Sequence, residues 1–238
     1  MGYYGYYGMF YDPTYLLVII GAVICLLASA RVKGTFNKYS RYRSDCGLTG
    51  AQAATRMLQA NGIYDVTVVH IRGTLTDHYD PRNKTLSLSD PVYNSTSVAA
   101  IGVAAHECGH AIQHQRAYAP LSIRSALVPV ANFGSGICWP LIILGLFINS
   151  NTGYFLILLG ILMFSFSVLF QLVTLPVEFD ASHRALVYLR ESEMLDPAEL
   201  KYTRKVLSAA ALTYVASAAA MILQLLRIIL IAGGNRKE

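Results

Sequence analysis

Two imidazoles and a carboxylate stand at helical spacing in His106-Glu107-Cys108-Gly109-His110. On an α-helix, positions four apart lie about 40° apart around the axis and roughly 6 Å apart along it, so both imidazoles can reach one ion. Glu107 projects beside that pair. A carboxylate there can take a proton from zinc-activated water, whose pKa the metal lowers to about 7, and pass it to a leaving amine. Cys108 is about 200° from His106 and points away. The chemistry expected of this spacing is zinc-dependent hydrolysis, as in a metalloprotease.

A five-residue pattern with three fixed positions also arises by chance, so its surroundings matter. Ser97 to Ala105 is mostly small and apolar, with Asn94, Ser95 or Thr96 available as an N-cap and Pro120 as a boundary, which predicts a buried helix carrying the histidines. The competing reading is a pair of helix-surface histidines with a salt-bridging Glu. Burying these three groups in an Ala-rich helix without a metal or partners is costly, which favours the metal. A third ligand must come from elsewhere. His114 continues the spacing but would be about 12 Å from His106 along a straight helix, and it reads as a polar residue near the helix end. The Gly turn and later His of the longer metzincin pattern are missing. Among distant carboxylates and histidines the best candidate is Glu178, which follows an apolar span and is expected to begin a polar helical segment. Two His and one Glu with an open fourth position is a hydrolytic ligand set. A carboxylate favoured by a helix start is the alternative for Glu178. Asp180 and His183 are auxiliary candidates, Asp180 to orient a metal-bound imidazole and His183 to stabilise an oxyanion; either could be a solvated polar residue.

The elements that must position these groups are largely apolar. Of 238 residues, 54% are hydrophobic and 14% charged, and the mean hydropathy is +0.43, too apolar for an ordinary soluble domain. Four membrane spans are expected: 15–30, 127–148, 154–176 and 208–232, the middle two forming a hairpin through Asn149-Ser150-Asn151-Thr152-Gly153. Gln224 and Arg227 in the last span should face a protein interior or snorkel. Ala28-Ser29-Ala30 resembles a signal-peptide cleavage site, but no Lys or Arg precedes the first run, and Arg31, Lys33, Lys38, Arg41 and Arg43 follow it. The expectation is an uncleaved anchor with its N-terminus outside, its Tyr3, Tyr4, Tyr6 and Tyr7 at the aromatic interface belt. Of 19 Lys and Arg, 11 fall in 31–124 and 5 in 184–205, which places both segments on the cytoplasmic side. Glu178 then emerges on the same face as His106 and His110. Arg236 and Lys237 at an external C-terminus are a mild violation of the same rule. The net charge of +5 calls for no nucleic-acid partner, since a basic face beside anionic lipid accounts for it. Cys25, Cys46, Cys108 and Cys138 show no CxxC spacing and read as free thiols.

Between the first two spans, about 90 residues suffice for a small catalytic lobe. Ala51 to Ala60 reads as a helix closed by Asn61-Gly62, Val66 to Ile71 as a strand, Asp80 to Lys84 as a turn, and Thr85 to Ser89 as a half-exposed strand. An edge strand just before the histidine helix could pair with an extended peptide; an ordinary solvated edge is the alternative. His70 and His78 are read as structural or solvated. The fold class expected is a mainly α membrane protein: about four transmembrane helices and a small α+β zincin-like cytoplasmic lobe. Its segments would be an N-terminal tail and first span (1–30), the lobe (31–124), the hairpin (125–176), a cytoplasmic segment carrying Glu178 (177–207), and the last apolar helix with its tail (208–238).

The chain resembles the bacterial membrane-bound neutral zinc metallopeptidases often called YugP-like and, more distantly, the HtpX and CAAX-prenyl-protease gluzincins. The resemblance rests on the N-terminal anchor, His106-Glu107-Cys108-Gly109-His110 after an Ala-rich stretch, the hydrophobic hairpin, and the Leu-Pro-Val-Glu-Phe-Asp-Ala-Ser block ending at Ser182. It implies one zinc ion per chain held by His106, His110 and Glu178, with Glu107 as general base. HtpX-type enzymes carry Asp four residues after the Glu ligand, where this chain has Ser182. The expected function is a zinc endopeptidase of the bacterial inner membrane, active on its cytoplasmic side against membrane-associated or unfolded proteins, with membrane-protein quality control as the implied role. Its expected partners are a protein or peptide substrate and the lipid bilayer, and its apolar helices admit a membrane-protein partner or a homo-oligomer. Two other readings compete. An intramembrane site-2-type protease is disfavoured because only about eight apolar residues precede His106. A zinc-stabilised scaffold without turnover is disfavoured because it would need no Glu107.

Overall fold

The computed structural model describes residues 13–148 and 150–234. The tyrosines expected at the interface belt (Tyr3, Tyr4, Tyr6, Tyr7), Asn149 of the hairpin turn, and Arg236 and Lys237 lie outside the described residues. Elements follow in the order α1 (Tyr15–Tyr39), α2 (Gly50–Ala60), β1 (Thr67–Ile71), β2 (His78–Asp80), β3 (Thr85–Ser89), α3 (Asp90–Tyr93), α4 (Val98–Gln115), α5 (Ala119–Phe147), α6 (Asn151–Glu191) and α7 (Pro197–Gly234). The protein is mainly helical with one small sheet. Among the described residues, α1, α5, α6 and α7 are long and apolar enough to cross a membrane.

Contacts divide the chain into two compact units. One comprises the described residues up to Leu27, Ala126–Leu172, and the described residues from Val215 onward; the other comprises Ala28–Ser125 and Val173–Tyr214. The first unit has a core of Cys138, Ile142, Phe164, Val168 and Ile228. It also exposes large apolar side chains, among them Phe133, Ile143, Leu158, Leu162, Ile222 and Ile229. An aqueous surface of that kind is avoided, whereas lipid tails accept it. Gly160 lets α5 and α6 approach closely, because a Cβ there would lie 2.6 Å from Ile142 Cγ1 and 3.0 Å from the Cys138 carbonyl oxygen. Arg227 is half-buried with its guanidinium 4.1 Å from the centre of the exposed Tyr15 ring, so this cation of an apolar helix has an aromatic partner within the protein.

In the second unit, α2 begins with a capping box. The Thr49 hydroxyl accepts from the Gln52 amide while the Gln52 side chain accepts from the Thr49 amide. The helix ends at Asn61, before Gly62 in the left-handed region at φ +73°. Three strands follow in the order β1-β3-β2, with β1 parallel and β2 antiparallel to β3. Three expectations are corrected here. Thr85 to Ser89 is the central strand, not a half-exposed edge: Leu86 through Ser89 are buried, and β1 and β2 flank it. The missing signal was β2, a three-residue strand too short to show a pattern. The N-cap of α4 is Ser97, whose hydroxyl accepts from the Ala100 amide at 3.2 Å, and Ser95 instead supports Ser97. Pro120 does not close α4, which ends at Gln115, followed by Ala117 at φ +49°; it lies in the first turn of α5, where a missing N–H costs nothing.

Glu178 also departs from expectation. It begins no helix: α6 runs continuously for 41 residues through Pro176. Proline removes one ladder bond yet is housed where surrounding packing holds the helix, and here Val177 and Ala181 are fully buried. The core of this unit gathers Met57, Leu58, Leu86, Leu88, Val98, Ile101, Leu189 and Val206, so α4 has partners on most of its circumference.

Candidate metal centre

His106 and His110 project from the same face of α4, their rings 4.8 Å apart and nearly perpendicular. Glu178 of α6 meets them. Its Oε2 lies 3.3 Å from His106 Nε2 and 3.5 Å from His110 Nε2, and one ligand atom from each residue falls within 4.8 Å of the others. The approach depends on Gly109, because a Cβ at that position would stand 2.5 Å from the Ala181 carbonyl oxygen and 2.9 Å from its Cα. Only hydrogen fits between the two helices there. The carboxylate is 3% exposed and the imidazoles 14% and 12%, a site closed on most sides yet reachable at the histidines.

The outer nitrogens of both rings are engaged. His110 Nδ1 lies 3.0 Å from Gln113 Oε1, while Gln113 Nε2 donates to the Val177 carbonyl and to Asp180 Oδ2, each at 2.8 Å. With both amide hydrogens committed, the fully buried Gln113 must offer its oxygen to His110 and accept the Nδ1–H. The lone pair of His110 is thereby directed to Nε2, toward Glu178. Asp180 Oδ2 also accepts from Arg184 Nε at 2.6 Å, which fixes the far end of the chain of bonds. His106 Nδ1 pairs with the Ser182 hydroxyl at 3.0 Å. Ser182 thus touches one imidazole directly, and Asp180 reaches the other through Gln113. Polar partners of this kind set the tautomer of metal-binding histidines.

The electrostatics of the donor set favour a bound cation. Glu178 Oε2 is buried and, among the described residues, no donor meets it in hydrogen-bonding geometry, although two Nε2 atoms face it. Oε1 has Arg124 Nη1 at 3.6 Å, and the Tyr214 phenol faces the same carboxylate. Burial would lower the His110 pKa, but the neighbouring Glu178 and Glu107 carboxylates outweigh it and hold it above its ordinary value. Two imidazole nitrogens and a carboxylate oxygen, closely grouped and otherwise poorly satisfied, fit zinc better than calcium or magnesium, which prefer oxygen. Glu107, beside them on α4, is 7% exposed. Burial raises its carboxyl above the usual range, against the opposing pull of His106 and His110.

The other sequence candidates lie elsewhere. His183 lines a pocket of about 380 Å³ with Phe179, Leu186, Val187 and Arg190, and the structure does not bring it into the donor cluster. His114 pairs with the Tyr79 hydroxyl, His70 with Asp90, and His78 with the Thr76 carbonyl. Cys108 packs against α2, its thiol 3.5 Å from the Ala54 carbonyl, and burial pushes its pKa well up. Sequence reasoning missed Gln113, Arg124, Tyr214 and Gly109. Gln113 alone had a local signal, standing three residues after His110 on the same helix face. Gln113→Leu is expected to weaken zinc binding about 10- to 100-fold, as loss of such a partner does elsewhere, with isothermal titration against a competing chelator as the measurement.

The fold and this centre define a class: a mainly helical protein with four helices fit to span a membrane and a His-His-Glu centre suited to zinc. A family model described as "Putative neutral zinc metallopeptidase" matches residues 14–233, and the chain belongs to that family. It is 47% identical over 222 residues to the "Putative membrane protease YugP" of Bacillus subtilis (strain 168), an alignment covering 93% of this chain and 97% of that protein. No solved structure matches the chain.

Proposed function

We propose that the chain is a zinc-dependent endopeptidase of the bacterial plasma membrane, with His106, His110 and Glu178 as ligands and Glu107 as general base. The observation that carries this reading is a buried carboxylate, Glu107, set beside three donor atoms within 4.8 Å of one another. A structural zinc site has no use for a base, which weighs against a scaffold. Zinc in this place supplies Lewis acidity, which lowers the pKa of water to about 7 and polarises a carbonyl.

The chain's own residues supply the rest. Glu107, its proton affinity already raised by burial, takes the proton from attacking water and delivers it to the departing amine. Gln113 and Ser182 hold the imidazoles, while Arg124 and Tyr214 hold Glu178. Among the described residues β2 pairs only with β3, so its second edge is open to an extended peptide. The Tyr79–His114 bond ties that strand to the end of α4. Main-chain pairing of this kind favours unfolded segments and needs little sequence preference. Both histidines lie on α4, outside the four membrane-length helices, while Glu178 lies in the polar C-terminal part of α6, and a membrane-apposed site accommodates both.

The cytoplasmic orientation rests on the clustering of 16 Lys and Arg in 31–124 and 184–205. Inside-out and right-side-out vesicles carrying the protein test activity and orientation together. Unfolded substrate added outside should be cut by inside-out vesicles only, with loss on chelation and recovery with zinc. Cleavage confined to right-side-out vesicles would reverse the orientation, and cleavage by neither would remove the peptidase reading.

A further inference from the structure

Away from the metal centre, α1 and α7 enclose a groove of about 580 Å³ lined by Arg31, Gly34, Thr35, Lys38, Arg204 and Lys205, with Tyr39, Ser208 and Ala209 completing it. Arg31, Gly34, Thr35 and Lys38 follow the i, i+3, i+4, i+7 spacing of one helix face. Gly34 leaves that face open, since a Cβ there would meet nothing within 4 Å. No carboxylate lines the groove, and none of its four cations forms an ion pair among the described residues. The Lys38 and Lys205 ammonium groups lie 5.6 and 5.9 Å from the centre of the same Tyr39 ring, so like charges from two helices are gathered around one point. Like charges held this way repel one another, and an anion between them would relieve that repulsion.

We propose that this groove binds the phosphate headgroup of an anionic phospholipid. The lipid source, rather than a soluble phosphate, follows from where the cations stand. Arg31 is the first charge after the apolar run of α1, and Arg204 and Lys205 are the last before the apolar run of α7, so both helices carry them at headgroup depth. On α1 the positions four and seven residues before Arg31, Leu27 and Ile24, are exposed apolar side chains of the kind acyl chains cover. Hydroxyls of Thr35 and Ser208 add donors suited to phosphate oxygens. The assignment does not depend on the metal centre.

Lipid retention by the full-length protein in phosphatidylcholine nanodiscs containing a minor fraction of phosphatidylglycerol, read by native mass spectrometry, is the test. Each cation near a membrane surface contributes about 1 kcal/mol, or about fivefold, so Lys38→Gln with Arg204→Gln should lower phosphatidylglycerol retention about 30-fold. The charge-keeping pair Lys38→Arg with Arg204→Lys should retain it, and Lys33→Gln, on α1 but outside the groove, should lower it by no more than the about fivefold of one surface cation. Equal retention by wild type and the Gln pair would overturn the proposal. So would an equal loss in Lys33→Gln, which would show diffuse attraction, or displacement of the lipid by millimolar inorganic phosphate, which would show a soluble ligand.

Discussion

Glu107→Gln is expected to cut an unfolded substrate about 100- to 10,000-fold more slowly than wild type while binding the same amount of zinc. That range is what a positioned general acid–base group contributes, about 3 to 5 kcal/mol of barrier. The amide keeps the size of the side chain but cannot accept a proton. Nor should the fold suffer, because burial already disfavours the charge of Glu107 and the substitution removes it. Rate and metal content therefore separate in this variant. Metal analysis beside a fluorogenic casein assay checks both, and unchanged cleavage at full zinc occupancy would exclude Glu107 as the base.

Glu178→Ala should act on the other quantity. Removing one of the three proposed ligands is expected to weaken zinc binding by more than the ~100-fold that outer partners of metal ligands account for, and to abolish cleavage at ordinary zinc levels. Several groups converge on this carboxylate: Arg124 pairs with it, Tyr214 faces it, and both Nε2 atoms approach its Oε2. Glu178→Gln preserves the shape without the charge and should restore little affinity. Competition with a chelator of known zinc affinity measures both variants, and near wild-type affinity in the alanine form would count against the ligand assignment.

How much of this was legible beforehand differs by the range of the signal. The helix carrying His106 and His110 could be read because its Ala-rich run and its spacing are local, and α2 and β1 because their caps and β-branched residues are local too. Glu178 could be placed because the apolar hairpin before it constrains where the chain returns. Its setting in the middle of α6 could not, since Pro176 reads locally as a helix stop and only packing of Val177 and Ala181 overrides it. The centrality of β3 was hidden because it depends on β2, three residues long. Arg124 and Tyr214 carry no local mark at all. Each reaches Glu178 from a different helix, and a cation beside an apolar run or a tyrosine within one has many ordinary explanations.

The two rings meet different partners: the Ser182 hydroxyl pairs with His106, and Asp180 reaches His110 through Gln113. The two rings are thus oriented by different means. Gly109 makes both possible by letting α4 and α6 touch at Ala181, one position before Ser182.

X-ray absorption at the zinc edge of the purified, zinc-loaded protein tests whether two imidazoles and the Glu178 carboxylate hold the ion. One zinc per chain is expected, with nitrogen and oxygen neighbours at about 2.0–2.2 Å, the outer-shell scattering of two imidazoles, and loss of that spectrum in Glu178→Ala. A sulfur shell at about 2.3 Å, or a spectrum unchanged in Glu178→Ala, would contradict that ligand set.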